Sequence, residues 1–536
     1  MSDGSTDPAS RGHLTRREAL RGGLTIGAAI AIPSGLAGCF GGDDDSSSGA
    51  ATGPTGKPQR GGRLRIAMVG GGGTETLDPN AAVPNIDSCR ATCLFNRLTR
   101  LKPDLSLENE LAEVFEPNKT ATEWTVRLRS GVEWHDGSPL VADDLLYTLK
   151  RMGAPDSTLA GKNVTNMIDL GGVKKLDGRT LRLPLKSGSA SFPELFQSPQ
   201  MMIVKDGETD FNKNPIGTGP FKYVSFTAGQ NSLFKRNPDY WEEGLPYVDE
   251  LVITSTPDPQ ARLNALLSKQ VDAMEQLSFQ QTKTQKNAGR IRVLQATGSS
   301  MVPIYMATTL EPFTDVRVRQ AIRLIADRDA LISNVQLGLG AVGNDVYGRG
   351  FENYNDDLPQ RKQDIDQAKS LLKAAGKSDL RVTLFSSSAG PGMLESATVF
   401  AEQAKKAGVT IQVDNGPADS YFGPKYLKQN FAQTQWPTFT IFSWYQQAMT
   451  PQAPFNETHW ADPQWNKLLR EAEATLDETK RKELYFELQK IEHESGGYLI
   501  WGFYPLCDGL ATNVGGAVPS AANGFSNFNL ASWWLA

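Results

Sequence analysis

Apolar residues recur at helical spacing in several segments of the chain. Residues 141–152, 315–332 and 364–376 each place apolar side chains three or four positions apart, which puts them on one face of a helix. The positions that define these stripes are Leu145, Leu146 and Leu149; Val318, Ile322 and Ile325; and Ala368, Leu371, Leu372 and Ala375. Gly376 follows the third stripe, at the position where a helix commonly ends. Residues 477–493 predict a further amphipathic helix.

Strand-like segments lie between and before these helices. Residues 62–72 alternate into a short strand that ends in glycines, and residues 124–128 form another before a turn. Residues 379–388 and 408–413 are strand-like and separated by a helical stretch. The order helix, strand, helix, strand predicts an α/β arrangement of sheet and flanking helices. With 536 residues, the chain is long enough for two or three lobes.

The N-terminus has a different pattern. Arg16, Arg17 and Arg21 precede an uncharged run from Gly22 to Gly38, which is weakly apolar and contains a proline. A membrane-spanning helix needs about 20 strongly apolar residues, so this run indicates an export signal instead. The twin arginines resemble a twin-arginine signal. Leu36-Ala37-Gly38-Cys39 resembles a bacterial lipobox, which implies cleavage after residue 38 and lipid attachment to Cys39.

The segment after Cys39 predicts a tether. Residues 40–62 hold only one large apolar residue among Gly, Asp and Ser, which is too few to repay the cost of ordering. Two acyl chains are enough for stable anchoring. We therefore expect a folded protein held at the outer face of the bacterial cell membrane by its lipidated cysteine.

Composition excludes some functions and leaves others open. Hydrophobic residues make up 39% of the chain and charged residues 21%, as in ordinary globular proteins. A net charge of −5 argues against a nucleic-acid partner. No linear motif for a catalytic nucleophile, a phosphate loop or a metal site occurs, so we expect no catalytic residue, no metal and no cofactor. Cys89, Cys93 and Cys507 remain open between a disulfide and free buried thiols.

Four ordered segments resemble one family. They are residues 124–151, which contain His135-Asp136-Gly137; residues 214–241, which contain Gly217-Thr218-Gly219-Pro220; residues 312–332; and the helix that ends at Gly376. Together they are similar to the family 5 extracellular solute-binding proteins, the oligopeptide and dipeptide receptors of ABC importers. We interpret most of these residues as scaffold. Gly217 and Gly219 are expected to supply backbone angles that other residues avoid.

The resemblance implies a two-lobed, periplasmic-binding-protein-like α/β fold of class II, with an additional subdomain in the first lobe. A solute closes between the hinged lobes and passes to the ABC permease subunits. The implied divisions are residues 1–38 for the signal; 39–62 for the lipidated cysteine and tether; 63–95, 205–304 and 496–536 for the first lobe; 96–204 for the subdomain; and 305–495 for the second lobe.

The ligand region departs from the family pattern. Peptide receptors of this family use a Trp-x-Gly-Asp motif whose aspartate holds the α-ammonium of the peptide. Here Trp444 aligns, Gln446 replaces the glycine, and Gln447 replaces the aspartate. A buried ammonium without a carboxylate is costly, so a peptide with a free N-terminus is disfavoured. An oligopeptide-like or saccharide-like solute without an obligatory ammonium remains.

We expect ligand contacts from a polar, uncharged and aromatic set of side chains, because rings stack on apolar faces and amides both donate and accept. The candidates are Trp436, Trp444, Tyr445, Gln446, Gln447 and Tyr421 in the second lobe, with Thr74, Glu75 and Tyr504 in the first. Two alternatives stay open at this point. One is a secreted hydrolase on an unrelated α/β scaffold, and the other is a ligand sensor of the same fold.

Overall fold

The computed structural model describes residues 53–423 and 426–536. The predicted signal, Cys39 and residues 40–52 of the predicted tether lie outside these ranges. Within them, no helix is both long and apolar enough to cross a bilayer. The described chain forms three main sheets with helices packed around them.

A mixed sheet of seven strands is built from distant parts of the chain. Its central strand, Arg63–Met68, runs parallel to the strand Glu250–Ser255 on one side and to Ala273–Met274 on the other. In spatial order the strands are Arg292–Ala296, Leu506–Leu510, Ala273–Met274, Arg63–Met68, Glu250–Ser255, Asn231–Arg236 and Phe221–Thr227. The helices Asn85–Leu94, Pro259–Leu267 and Phe279–Ala288 pack against this sheet.

A second sheet has five strands and carries most of the long helices. Its strands, in spatial order, are Thr410–Gly416, Arg381–Ser387, Phe431–Gln433, Ile304–Met306 and Tyr498–Leu499. The helices around it are Val316–Ile325, Arg328–Val335, Ile365–Ala374, Met393–Lys405, Ile441–Trp444, Pro463–Glu473 and Glu478–Ser495. The helices predicted within 315–332, 364–376 and 477–493 are confirmed, and so are the strands predicted within 379–388 and 408–413.

A third sheet of four strands lies, in sequence, between the strands Arg63–Met68 and Phe221–Thr227 of the seven-stranded sheet. Its strands are Ala112–Pro117, Glu123–Leu128, Thr180–Pro184 and Lys174–Lys175. The helix Ala142–Gly153 confirms the prediction for residues 141–152, and the short helix Lys162–Thr165 and the 3₁₀ turns Phe192–Gln197 and Pro199–Met201 follow. Its buried apolar side chains form one continuous cluster with those around the five-stranded sheet, whereas the seven-stranded sheet has a separate core.

Smaller elements complete the described chain. Three two-stranded ladders pair Thr99–Leu101 with Leu107–Asn109, Ala341–Val342 with Gly502–Phe503, and Val514–Gly515 with Trp534–Leu535. Short helical turns occur at Gly72–Thr74, Pro79–Ala81, Tyr426–Lys428, Gly524–Asn527 and Leu530–Ser532.

The chain passes between the seven-stranded and five-stranded sheets through two neighbouring segments. Residues 297–303 lead from the strand Arg292–Ala296 to Ile304–Met306, and residues 500–505 return towards Leu506–Leu510. The two segments contact each other, because the Tyr504 amide donates to the Ser300 carbonyl oxygen at 2.9 Å and Met301 bridges to Phe503. Adjacent crossings of this kind are suited to a hinge.

Two glycine predictions had different outcomes. Gly376 adopts a left-handed conformation with φ of 68° after the helix Ile365–Ala374, as expected. Gly217 and Gly219 do not have positive φ, so the reason given for them was wrong. They are required by close approach: a Cβ on Gly217 would lie 1.7 Å from the Leu94 carbonyl oxygen, and one on Gly219 would lie 2.6 Å from that of Cys93.

The question left open for the cysteines is answered by their environment. Cys89, Cys93 and Cys507 are all buried free thiols. Burial raises the pKa of Cys507 to about 11, so this group stays protonated at neutral pH.

Candidate functional site

The candidate residues 444–447 lie where a helix changes its winding. The helix Ile441–Trp444 begins after Thr440, whose hydroxyl accepts a hydrogen bond from the Ser443 amide at 3.3 Å. It continues directly into a π-helical turn, Tyr445–Met449. The hydrogen bonds of a π-turn span five positions instead of the four of an α-helix, and such turns are frequent at functional sites. Here it leaves Gln446 and Gln447 partly exposed while Trp444 and Tyr445 are buried.

An aromatic group surrounds this turn. Trp436 meets Trp444, Phe439 and Phe455 edge-on, with ring centroids 6.5, 6.2 and 6.1 Å apart. The Phe455 amide donates to the Gln447 carbonyl oxygen at 3.0 Å, which holds the backbone of Phe455 against that of Gln447. Phe455 is 43% exposed and Trp436 only 5%. The accessible surface is therefore formed by Phe455, Phe439 and the two glutamine side chains.

Trp444 lies beneath that surface. Its ring stacks on Tyr347 with centroids 4.5 Å apart, and only 1% of the residue is exposed. Among the described residues its indole Nε1 has no hydrogen-bond acceptor. A buried indole N–H normally has a hydrogen-bond acceptor. The N–H of Trp444 has none in the described chain, so it is an unused donor beneath the accessible surface.

Tyr445 points into the helical layer. It is fully buried, stacks on Tyr485 at 5.9 Å and meets Trp465 edge-on at 4.9 Å. Burial raises its pKa well above the ordinary value. Trp444 and Tyr445 thus support the turn that carries the glutamines.

A buried carboxyl lies under the aromatic group. Glu457 accepts hydrogen bonds from Thr434 Oγ1 at 2.8 Å and Trp436 Nε1 at 3.3 Å, and also from the hydroxyls of Tyr426 and Tyr498. Burial raises the pKa of Glu457 well above the ordinary value. Its hydrogen-bonding capacity is used within the protein, so it braces Trp436.

Tyr421 is joined to this region only indirectly. Its hydroxyl donates to the carbonyl oxygens of Phe385 and Gln433, at 3.0 and 2.7 Å, and its ring stacks on Phe385. Tyr426, whose ring centroid is 6.3 Å from that of Tyr421, connects it to Glu457. Tyr421 therefore packs against the five-stranded sheet.

Tyr504 connects the returning crossing to the same region. Its hydroxyl accepts a hydrogen bond from Gln435 Nε2 at 3.0 Å, and Gln435 precedes Trp436 in the chain. Burial raises the pKa of Tyr504. The structure thus places Tyr504 between the crossing segments and the aromatic group.

Thr74 and Glu75 form a separate group at the edge of the seven-stranded sheet. The carboxylate of Glu75 accepts hydrogen bonds from the amides of Gly71 and Gly229, from Ser255 Oγ and from Arg90 Nη1 at 2.7 Å. Burial works against its charge, but Arg90 and Ser255 outweigh that effect and hold its pKa below the ordinary value. Thr74 is exposed and bonds to the Gly71 carbonyl oxygen. Glu75 therefore organises the glycine loop.

Three residues of this region were not among the predicted ligand contacts. Phe439 and Phe455 belong to the aromatic group, and Glu457 lies under it. Phe455 had a usable signal, because it is a single aromatic residue in a polar loop after Pro454. Glu457 had none, since its partners come from positions 426, 434, 436 and 498. No cluster of three or more His, Cys, Asp or Glu able to hold a metal occurs in the described parts of the chain.

Comparison with known proteins settles the family. The family model described as "Bacterial extracellular solute-binding proteins, family 5 Middle" matches residues 106–467. The chain belongs to the family 5 solute-binding proteins. It is a solute-binding protein of an ABC importer, and this family is extracytoplasmic.

Curated family 5 relatives cover most of the chain. The glutathione-binding protein GsiB of Pectobacterium atrosepticum is 25% identical over 79% of this chain and 85% of its own. The oligopeptide-binding protein AppA of Bacillus subtilis is 25% identical over 94% of this chain and 96% of its own. These relatives are binding proteins and not enzymes.

Solved family 5 structures confirm the two-lobed α/β class II fold. AppA of Bacillus subtilis in complex with a nonapeptide superimposes with a TM-score of 0.74, at 22% identity, over 90% of this chain and all of that one. AgaA of A. tumefaciens R10 in complex with agropinic acid gives a TM-score of 0.75, at 23% identity, over 89% and 99%. At these identities the likeness concerns the fold alone.

Proposed function

We propose that this protein captures a peptide-like or carbohydrate-like solute that has no obligatory ammonium group and delivers it to an ABC permease. The solute would bind between hinged lobes formed by residues 63–95, 205–304 and 496–536 on one side and 305–495 on the other, with 96–204 as a subdomain of the first. Gln446, Gln447, Phe439 and Phe455 would contact it, with Trp436, Trp444 and Tyr445 beneath them.

The observation that carries this proposal is the amide at position 447. Gln447 lies on the π-turn beside Phe455 and is partly exposed, and its Nε2 approaches Ser443 Oγ at 3.4 Å. No acidic residue occurs between Thr440 and Asn456. An ammonium held at this place would lose water without gaining a charged partner.

The buried carboxyls of Glu75 and Glu457 do not replace it. Glu75 is paired with Arg90, and Glu457 is surrounded by hydroxyl and indole groups. Either group would have to give up these partners to receive a cation. Leaving a buried donor unsatisfied costs about 1–3 kcal/mol each, so both acids are poor substitutes for an aspartate at 447.

The accessible side chains suit neutral ligands. Aromatic faces stack on the apolar faces of sugars or on apolar side chains, and amides accept and donate hydrogen bonds. Relatives of this fold are seen with a nonapeptide and with agropinic acid, so the scaffold accommodates different ligand chemistries.

We further propose that the chain is exported by its twin-arginine signal and anchored through lipidated Cys39. The spacer of residues 40–62 would let the lobes reach the permease. A ligand sensor of the same fold would share these features, and a requirement for the permease genes in solute uptake would separate the two roles.

The proposal is tested by thermal unfolding of the purified protein with a ligand panel. The panel contains unblocked dipeptides and tripeptides, the same peptides with acetylated N-termini, and oligosaccharides. Binding at 100 times Kd adds about 2.7 kcal/mol of stability, which is readily seen as a higher Tm. We expect stabilisation by acetylated peptides or saccharides. Strong stabilisation by unblocked dipeptides alone would contradict the assignment of Gln447.

A further inference from the structure

A cavity of about 570 Å³ lies between the helix Glu478–Ser495 and the loop of residues 355–361. This volume is in the range of small-molecule sites in proteins. Leu358 and Phe486, both half-buried, give the cavity apolar walls. None of the residues that line it is among the candidate ligand contacts, so it is separate from the candidate site.

Arg361 brings a positive charge to this cavity. Its Nε donates to Asp345 Oδ2 at 2.7 Å, and its Nη2 donates to the His493 carbonyl oxygen. Its Nη1 has no acceptor in the described chain and is not closed off from solvent. Guanidinium groups form strong, charge-assisted hydrogen bonds with carboxylates. Nη1 is therefore a free donor for an anion in the cavity.

The charge behind this wall is not balanced within the described chain. Three arginines, Arg323, Arg328 and Arg361, act on the single carboxylate of Asp345. Arg323 is fully buried, and its partners there are main-chain carbonyl oxygens, which carry only partial negative charge. Arg328 is also buried, and its Nε has no acceptor among the described residues. A surplus of positive charge therefore remains beside the cavity.

The imidazole of His493 lies in the same positive environment. Its Nδ1 is 3.2 Å from Arg361 Nη2. Burial, together with the charge of Arg361, lowers the pKa of His493 to about 4. The ring is therefore uncharged at neutral pH, and Arg361 is the charged group of the cavity wall.

Three further charged side chains stand at the rim. Asp357 and Glu494 are exposed, and so is Lys490, which pairs with Glu487 on the same helix. Exposed charges are hydrated and screened by salt, so they affect binding much less than buried ones do. The buried arginines therefore give the cavity its preference for an anion.

We propose that this cavity is a second ligand site, which binds a small organic carboxylate. Its carboxylate accepts hydrogen bonds from Arg361, and its apolar part lies between Leu358 and Phe486. The ligand supplies the negative charge that the three arginines lack, and the burial of its apolar surface adds affinity. This site is independent of the identity of the solute captured at the candidate site.

Two contacts connect the cavity to the segment that joins the five-stranded and seven-stranded sheets. Asp345, the partner of Arg361, accepts a hydrogen bond from the Ile500 amide at 3.1 Å. Ile500 begins the returning crossing, residues 500–505. The carboxylate site therefore shares its arginine with the group that holds this crossing.

Titration of the full-length protein with para-fluorophenylacetate, followed by fluorine NMR at neutral pH, tests the site. We expect saturable binding to the wild type. The alcohol para-fluorophenylethanol has the same apolar part without the charge and should bind at least about tenfold more weakly. Inorganic phosphate should displace the probe only weakly, because it gains no apolar contact.

Two variants locate the site. Arg361→Gln removes the charge and should weaken binding of the probe at least about tenfold. Lys362→Gln removes the same charge at the next position, which is exposed, and should bind as the wild type does. Because Arg361→Gln also loses its contact with Asp345, Leu358→Trp serves as a second variant. It fills the cavity, leaves all three arginines in place and should weaken binding at least about tenfold. Melting curves verify that each variant is folded.

The absence of saturable binding to the wild type at millimolar concentrations would overturn the site. Unchanged binding in Arg361→Gln and Leu358→Trp would mean that the probe binds elsewhere and would overturn the assignment. Equal binding of the acid and the alcohol, or of the acid and phosphate, would overturn the ligand class. None of these results affects the ligand panel, which concerns a different part of the chain, so failure of this site is distinguishable from failure of the proposed function.

Discussion

At the scale of single residues, the candidate site depends on amides where a charge would be expected. Gln447 is held by its position on a π-turn and not by a strong contact of its side chain, since its approach to Ser443 is 3.4 Å. A substitution there can change ligand preference without removing a structural bond. This makes position 447 the most informative place for a specificity variant.

Gln447→Asp should gain affinity for peptides with a free N-terminus. The new carboxylate would supply the partner that a buried ammonium lacks, and hydrogen bonds between charged groups contribute about 1.5–3 kcal/mol. We expect unblocked dipeptides to raise the Tm of the variant and not that of the wild type. Gln446→Asp, one position away, is the matched control. Equal responses of the two variants would contradict the role given to position 447.

Glu457 should make stability depend on pH. Its pKa is raised in the folded protein, so its contribution is full below the unfolded value near 4.5 and decreases as the pH rises towards the folded value. The glutamine side chain of the Glu457→Gln variant is neutral at every pH. The stability of the variant relative to wild type should therefore increase from pH 5 to pH 8, by at most about 1.4 kcal/mol per pH unit.

Melting curves at several pH values measure this difference. Glu471→Gln, at an exposed position, is the control and should show no such slope. A constant offset between Glu457→Gln and wild type across the range would mean that Glu457 is charged in the folded protein. Sequence could not have predicted this group, because all four of its partners are distant in the chain.

At the scale of elements, one buried aspartate ties several segments together. Asp345 pairs with Arg328 through both carboxylate oxygens at 2.8 Å and with Arg361 at 2.7 Å, and it accepts a hydrogen bond from the Ile500 amide at 3.1 Å. These partners lie on a helix, a loop and the returning crossing. The arginine charges outweigh burial and hold the pKa of Asp345 below its ordinary value.

Asp345→Asn should destabilise the protein strongly. Removing one partner of a buried ion pair leaves an uncompensated charge on Arg328, at a cost of about 3–5 kcal/mol. We expect a clearly lower urea midpoint at pH 7. The exposed Asp356→Asn is the control and should remain close to wild type. Similar midpoints for the two variants would contradict the network.

The spacing of apolar residues was sufficient to predict most helices and strands. It could not predict how segments that are distant in the chain pack together. The stripe at Val318, Ile322 and Ile325 is fully buried in the helix Val316–Ile325, because spacing alone determines a helical face. Leu146, predicted on the same face as Leu145, is only partly buried. Spacing also gave no sign of the π-turn or of the shared core between the third and second sheets.

The candidate site shows the same limit. The sequence located Trp436, Gln446 and Gln447 in one region, but it could not tell that Trp444 and Tyr445 lie beneath it. In the sequence, an aromatic residue next to polar residues can belong either to the accessible surface or to the layer beneath it. The stacking of Trp444 on Tyr347 and of Tyr445 on Tyr485 places both residues in the layer beneath.

At the scale of the whole molecule, the proposed membrane anchor is separable from the fold. Cys39 lies outside the described residues, and the first strand begins at Arg63. Cys39→Ser should therefore leave the fold intact and abolish lipid attachment. We expect the variant to lose incorporation of labelled fatty acid and to leave the membrane fraction, with an unchanged Tm. Retained labelling would show attachment elsewhere, and Ser48→Ala is the control.

The two adjacent crossings have a consequence for engineering. Ile304 and Leu499 are paired neighbours in antiparallel strands, so the ends of the intervening polypeptide lie within about 5 Å of each other. Relative to the seven-stranded sheet, the polypeptide between Ile304 and Leu499 is therefore one continuous insertion. Both strand ends are buried, so this junction is unsuited to a foreign module, which needs an exposed loop. Fluorophores attached to the surfaces of the seven-stranded and five-stranded sheets, away from the junction, would convert lobe movement into an optical signal.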